Sequence, residues 1–159
     1  MEVRLRTATG EDYHAVNAII REGQEEHAEA LPDRFAKLDH VVAMGWYRSF
    51  SDRTDKEIIV AEIGLHIVGV AMLEMKRSPN YEALVSRKYA YLNELAVAAA
   101  YQRQGIGKRL YQASVDWARA REAESLELNV WEFNERALRF YASLGMQTLN
   151  RTLTTNLLK

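Results

Sequence analysis

The stretch Gln102-Arg103-Gln104-Gly105-Ile106-Gly107-Lys108 offers the first chemistry in the chain. Two glycines separated by one residue open an amphipathic helix, and they follow an apolar strand that ends Leu95-Ala96-Val97. A helix N-terminus presents N–H groups without intrahelical acceptors and the positive end of the helix dipole, so it attracts an anion. Gly105 and Gly107 put no side chain between that backbone and a ligand, while Lys108 and the nearby arginines add positive charge; the spacing predicts a phosphate or pyrophosphate. Glu94 lies inside the same strand. A carboxylate there is costly unless it faces a water-lined cleft or has an Arg or Lys partner. Tyr141, on the apolar stripe of a later helix, reads by spacing alone as a packing residue.

Other chemistries fail on their spacing. A Walker A loop needs glycine where Gln102 stands and Ser or Thr where Arg109 stands, and a dinucleotide fingerprint needs glycine at Leu110. The chain has no G-x-S-x-G elbow and no HExxH, and His14, His27, His40 and His66 show no pairing at helical spacing, so no metal is expected. The absence of cysteine excludes disulfides, thiolate metal sites and a Cys nucleophile, and fits a reducing compartment. Lys+Arg 21 against Asp+Glu 22 gives a formal charge of −1, which argues against nucleic acid or an anionic membrane as partner. Met1 to Arg6 alternates charged and apolar residues, unlike a signal peptide, and the run Ile67 to Leu73 is far too short to span a membrane, so a cytoplasmic location is expected. The Asn150-Arg151-Thr152 sequon carries no meaning without secretion.

The elements that must position these groups follow from periodicity. At 159 residues, 48% of them hydrophobic, the chain reads as a single domain over 1–159. Val3, Leu5 and Thr7 alternate with arginines as in a strand, Thr9 caps a helix from Gly10 to about Ala28, and Phe35, Leu38, Val41, Val42 and Trp46 form a second amphipathic stripe. A polar loop, Ser51 to Asp55, leads to the strands Glu57 to Glu62 and Leu65 to Lys76, joined tightly at Ile63-Gly64 as an antiparallel hairpin. After a polar loop to Arg87, Lys88 to Val97 is a central strand. Strict alternation puts Ala90, Leu92, Glu94 and Ala96 on one face and Tyr89, Tyr91, Asn93, Leu95 and Val97 on the other. Helices Gly105 to about Arg121 and Asn134 to Leu144, a strand Ser125 to Val130, and a β-rich tail Met146 to Leu157 complete the order.

The pattern Q/R-x-x-G-x-G/A at Gln102 to Gly107, after a strand ending Leu95-Ala96-Val97, resembles the acetyl-CoA motif of the GNAT superfamily of N-acetyltransferases. Asn129-Val130-Trp131-Glu132-Phe133-Asn134, then Ala137, Phe140-Tyr141 and Leu144-Gly145-Met146, resembles the family's second block, and the elements follow the family order along nearly the whole chain. The resemblance implies an α/β fold with a mixed, mostly antiparallel twisted sheet, flanked by helices and splayed at the central strand. It implies that Leu95, Ala96 and Val97 pair through their backbone with the pantetheine arm, and that Gln102, Arg103, Gln104, Gly105, Ile106, Gly107 and Lys108 surround the pyrophosphate. Asn134 would touch the CoA arm, and Tyr141, near the sulfur, would protonate the departing thiolate. A main-chain N–H at the splayed strand would polarise the carbonyl.

The implied activity is acetyl-CoA-dependent transfer of an acetyl group to a primary amine of a small molecule (polyamine, aminosugar, antibiotic or amino-acid-like) in a ternary complex, with acetyl-CoA as cosubstrate. A protein or peptide amine is the alternative acceptor, and a non-catalytic CoA-binding regulatory module is the alternative class. Glu94 is expected to face the acceptor and bind or deprotonate it. Some relatives that acetylate peptide N-termini use a glutamate where this chain has Asn129, which cannot act as a base. Glu22, Glu25, Glu26 and Glu29 share a helix face, read as solvated or as an acidic wall beside the acceptor. Oligomeric state is not legible; the C-terminal strands often mediate homodimers in relatives.

Overall fold

The computed structural model describes residues 2–51 and 53–158; Met1, Asp52 within the expected polar loop, and Lys159 lie outside the described residues. Two compact units are present, Met1–Leu128 and Asn129–Lys159. The first holds a five-stranded sheet in the order β1-β2-β3-β4-β5, with β1 Arg4–Thr7, β2 Lys56–Ile63, β3 His66–Arg77, β4 Lys88–Val97 and β5 Leu126–Glu127. The first four strands pair antiparallel, and β5 joins β4 in parallel. Helices α1 Tyr13–Ala30, α2 Met44–Arg48 and α3 Ile106–Ala120 belong to this unit, and α4 Glu135–Ser143 to the second.

Alternation along the strands builds a hydrophobic layer on each face of the sheet. On one face Ile58, Val60, Val70 and Met72 pack with Val16, Ile19 and Ile20 of α1 and with Val42, Tyr47 and Phe50. On the other, Ala61, Ala71, Leu73, Ala90 and Leu92 pack with Ile106, Leu110 and Trp117 of α3. Val16, Val60, Val70 and Leu110 are completely buried, each contributing about 1.5–3 kcal/mol by leaving water. The β2–β3 hairpin turns at Gly64, whose φ of +61° is the left-handed value that such a turn requires.

At the β1 end of the sheet, charges are fully used. Arg6 sends Nη1 and Nη2 to Asp12 at 2.8 and 3.0 Å and Nε to Glu62 at 3.0 Å, and Arg4 also bonds Glu62. Asp12 accepts the backbone N–H of Thr9 at 2.8 Å, so the start of the first helical segment is tied to β1. The Arg6 guanidinium holds the Asp12 carboxyl below its ordinary range despite burial.

Three expectations about elements need correction. Residues 35–43 form no helix, because α1 side chains satisfy their backbone instead: Asn17 bonds Asp39 O and Val42 N, Gln24 bonds Ala36 O, and Tyr13 donates to Val42 O. The strand expected from Ser125 to Val130 pairs only at Leu126 and Glu127. Residues 146–158 form no strand within their own unit, since a strand needs a paired neighbour and that unit supplies none.

Candidate active site

The chemistry-bearing strand, β4, does not alternate strictly. Leu73 lies opposite Leu92, but the next pair is Met72 with Glu94, so Asn93 is an extra residue, a β-bulge. The bulge resets the faces of every later residue. Before it, Ala90 and Leu92 point to the α3 layer; after it, Leu95 and Val97 take that side, and Ala96 joins the α1 layer. Glu94, in register with Met72, therefore faces α1. This corrects the alternation read from the sequence, which placed Glu94 with Leu92 and Asn93 with Leu95. Asn93 and Glu94 stand in succession on the α1 side, where the Asn93 amide donates to the Glu74 carboxylate at 2.9 Å.

The backbone after the bulge is equally specific. Ala98 donates to Val68 O at 2.8 Å, and Gly69 is the register partner of Val97. In an antiparallel ladder bonded and non-bonded pairs alternate, so Glu94, Ala96 and Ala98 bond to β3 while Leu95 and Val97 turn their N–H and C=O groups away from it. Because β5 pairs with β4 only at Ala90↔Leu126 and Tyr91↔Glu127, the sheet's ladder between these two strands stops before Leu95. Within the expected Leu95-Ala96-Val97 contact, Leu95 and Val97 have backbone groups aimed off the sheet's ladder, and those of Ala96 are spent on β3.

Val97 leads into a loop held at two points. The side-chain amide of Gln102 donates to Val97 O at 3.0 Å, and Glu22 of α1 accepts the Ala99 N–H at 3.2 Å. Arg103 adopts φ +64° and Gly105, the residue before α3, φ +82°. A Cβ at Gly105 would meet nothing within 4 Å, so it is the backbone angle that calls for glycine there. Left-handed residues on either side of Gln104, just before a helix, favour N–H groups turned into a concavity suited to an anion. Gln104, Gly107 and Lys108 belong to this loop and first turn, whereas the Ile106 side chain is buried under α3 as core.

No ion pair or hydrogen bond reaches the Glu94 carboxylate among the described residues, and burial is the cause of its shift. Burial pushes its pKa up to about 7, the range in which a carboxylate exchanges protons at neutral pH. Tyr91, on the same face and opposite Glu74, is raised as well, first by burial and then by neighbouring negative charges that include Glu74 and Glu94.

In the second unit, Asn134 is the residue before α4 and its Oδ1 accepts the Ala137 N–H at 3.2 Å. Tyr141 lies two turns later on the same helix face, about 10 Å along the axis at 1.5 Å per residue, with its ring edge-on to Phe140. Two neighbours of Glu94 escaped the sequence, Glu74 and Asn93, because a bulge leaves no mark in composition; Glu22 was singled out there as part of an acidic helix face, but its bond to Ala99, which spans two elements, was not. No group of three or more potential metal ligands gathers among the described residues, and no helix there is long and apolar enough to cross a membrane.

Known proteins give this arrangement its context. The family model described as Acetyltransferase (GNAT) matches residues 16–146. An uncharacterized N-acetyltransferase of Archaeoglobus fulgidus is 30% identical over 102 residues, 64% of this chain and 67% of that one. A second, from the pepI 3' region of Lactobacillus delbrueckii subsp. lactis, is 30% identical over 80 residues, and there the match spans 45% of the relative. Among solved structures, a mutant of the BH1408 protein from Bacillus halodurans superposes with a TM-score of 0.93 at 25% identity, covering 98% of this chain and 99% of that one. An aminoglycoside N-acetyltransferase in complex with CoA shares the fold at 12% identity, with a TM-score of 0.73 over 98% of this chain and 94% of its own. The bulged β4, its loop into α3 and the block around α4 are thus those of a member of the GNAT acetyltransferase family, to which this chain belongs.

Proposed function

We propose that the protein is an acetyl-CoA-dependent N-acetyltransferase acting on a primary amine of a small molecule. The observation that carries this reading is the β4 bulge, which sets an unpartnered carboxylate on one face of the strand and turns the Leu95 and Val97 backbone groups off its edge, immediately before an anion-binding loop. The chain's groups fit the cosubstrate. The loop with left-handed Arg103 and Gly105 and the first turn of α3 suit the pyrophosphate, and the outward groups of Leu95 and the Val97 N–H suit an extended arm that pairs as an added strand, the Val97 carbonyl being taken by Gln102. The cosubstrate supplies an activated acetyl thioester.

Glu94, or a water it holds, takes a proton from the ammonium form of the acceptor. The freed nitrogen attacks the thioester carbonyl, the C–N bond forms as the C–S bond breaks, and the nitrogen sheds its second proton to water, from which Tyr141 recovers the one it gives up. An outward N–H of β4 stabilises charge on the carbonyl oxygen, and Tyr141 gives its proton to the leaving sulfur. For Tyr141 and Asn134 the support is their spacing on α4 and the family block they occupy. The lack of cysteine favours direct transfer over a covalent acetyl-enzyme. The aminoglycoside enzymes among the structural relatives favour small amines, and Asn129 in place of a glutamate disfavours peptide N-termini.

The test is thiol release from acetyl-CoA across polyamines, aminoglycosides, amino acids and short peptides, with acetyl-CoA binding followed by calorimetry. Release with a small-amine class is expected. Release confined to peptides overturns the acceptor assignment, and binding without release under every acceptor favours a CoA-responsive module.

A further inference from the structure

We propose that Glu74 is a positioning residue for the transfer: through Asn93 it latches the β4 bulge that aims Glu94 at the acceptor side and turns the Leu95 and Val97 amides outward. The inference rests on the transferase reading above. Asn93 is the residue that the ladder leaves over, opposite neither Leu73 nor Met72. An extra residue in a strand is a local fault that can move along it, and each position it could occupy gives different faces to the residues beyond. If the leftover residue were Glu94 instead of Asn93, the carboxylate would lose its place opposite Met72.

The Asn93 side chain is held in place by a hydrogen bond from Nδ2 to Glu74 Oε2 at 2.9 Å. Glu74 belongs to β3, the strand against which the bulge is measured, so the bond fixes the fault relative to the neighbour that defines its register. A carboxylate acceptor shortens and strengthens such a bond relative to a neutral one. Glu74 is itself placed by its neighbours: Lys56 is its register partner on β2 and Tyr91 its partner on β4, with the Lys76 ammonium 4.4 Å from the Tyr91 ring centroid. Glu74 therefore touches Asn93 and acts on Glu94 only through the backbone between them.

The experiment compares Glu74→Ala, Glu74→Gln, Asn93→Ala and the double alanine variant, reading kcat, KM for both substrates, and the Glu94 titration by carboxyl carbon NMR in the free protein. The latch predicts a fall in kcat of about tenfold in Glu74→Ala, a similar fall in Asn93→Ala, and no further loss in the double variant, because both remove one bond. Glu74→Gln keeps an oxygen acceptor without the charge and is expected to recover kcat to within about twofold, with the Glu94 midpoint as in wild type. In the alanine variants that midpoint moves toward the ordinary carboxylate value as Glu94 gains water. Wild-type kcat and midpoint in Glu74→Ala, multiplicative losses in the double variant, or a Gln variant as impaired as Ala would each overturn the latch. Glu94→Gln separates the two readings: full turnover there refutes the base assignment, whereas the NMR midpoints test the latch without turnover. If Glu74→Ala fails to fold, the Gln variant and Asn93→Ala still decide it.

Discussion

Two acidic regions of the same sheet are built to opposite ends. At β1, Asp12 and Glu62 surround the Arg6 guanidinium, every acid has a cationic partner, and Asp12 is held ionised below its ordinary pKa. At the bulged end of β4, Glu94 has no partner, and burial raises it to about 7. The first arrangement converts ion pairing into a fixed link between β1, β2 and the start of α1. The second keeps a carboxylate at a cost to the fold, in a place where it can change protonation state. The acid that stabilises is saturated with partners, and the acid proposed to react is kept short of them.

The sharpest way to break this contrast is Glu94→Gln. If Glu94 is the base, kcat/KM falls by roughly 100-fold to 1,000-fold, and the rise of rate with pH through about 7, where Glu94 loses its proton, disappears from the profile. The same variant has a stability signature. A raised folded-state pKa favours the fold most below the unfolded value and loses that contribution as pH climbs to about 7. Glu94→Gln is therefore expected to melt above wild type at pH 8, by roughly 2–4 °C for each kcal/mol of relieved burial, and equal to it at pH 4. A variant both inactive and less stable at pH 8 would mean that Glu94 is structural.

Arg6→Met probes the other side of the comparison. It leaves Asp12 partly buried without its cation and should lower stability by about 2 kcal/mol at pH 7, read by urea unfolding, while kcat stays within about twofold. The sign with pH is the reverse of that at Glu94. Asp12 has a lowered folded-state pKa, so its contribution is present above the unfolded value of 3.8 and is lost as pH falls through the folded one. The difference between variant and wild type should therefore shrink below pH 4. A large loss of kcat instead would show that the β1 network also serves the site.

Gly69→Ala carries the smallest effect and refines the contrast at close range. Gly69 pairs with Val97, and a Cβ there would stand 2.9 Å from Leu110 Cδ1 and 3.2 Å from Ile106 Cγ2. Ile106 in the first turn of α3 and Leu110 in the second must yield, at a cost of about 1 kcal/mol. Since the first turn belongs to the proposed anion loop, KM for acetyl-CoA should rise severalfold while kcat is kept; a drop in melting temperature with unchanged KM would detach Gly69 from the loop.

Much of this architecture was legible in the residues. The β2–β3 hairpin with its turn at Gly64, the limits of β4 at Lys88 and Val97, the helix after Gly105 and the one that starts at Asn134 all follow from periodicity and from glycine's tolerance of positive φ. The turn at Gly105 before α3 was legible for the same reason, since its signal is local. The orientation of Glu94 was not, because Asn93 fits strict alternation as well as it fits a bulge, and only pairing with β3 decides between them. Residues 35–43 misled in a related way. Their apolar spacing suits a helix, but Asn17, Gln24 and Tyr13 of α1 satisfy that backbone from a distance no sequence window sees.

The loop before α3 has a kinetic consequence. Arg103, a residue with a Cβ, already holds φ +64° beside the +82° of Gly105, a geometry that costs an ordinary residue about 1–2 kcal/mol. That cost is met when the chain folds, not when a ligand arrives, so the proposed capture of a phosphate-bearing molecule would require no rearrangement of this segment. Its association rate should then depend on ionic strength, as expected for a charged encounter, and rise linearly with ligand concentration, without the plateau that a slow loop closure would impose.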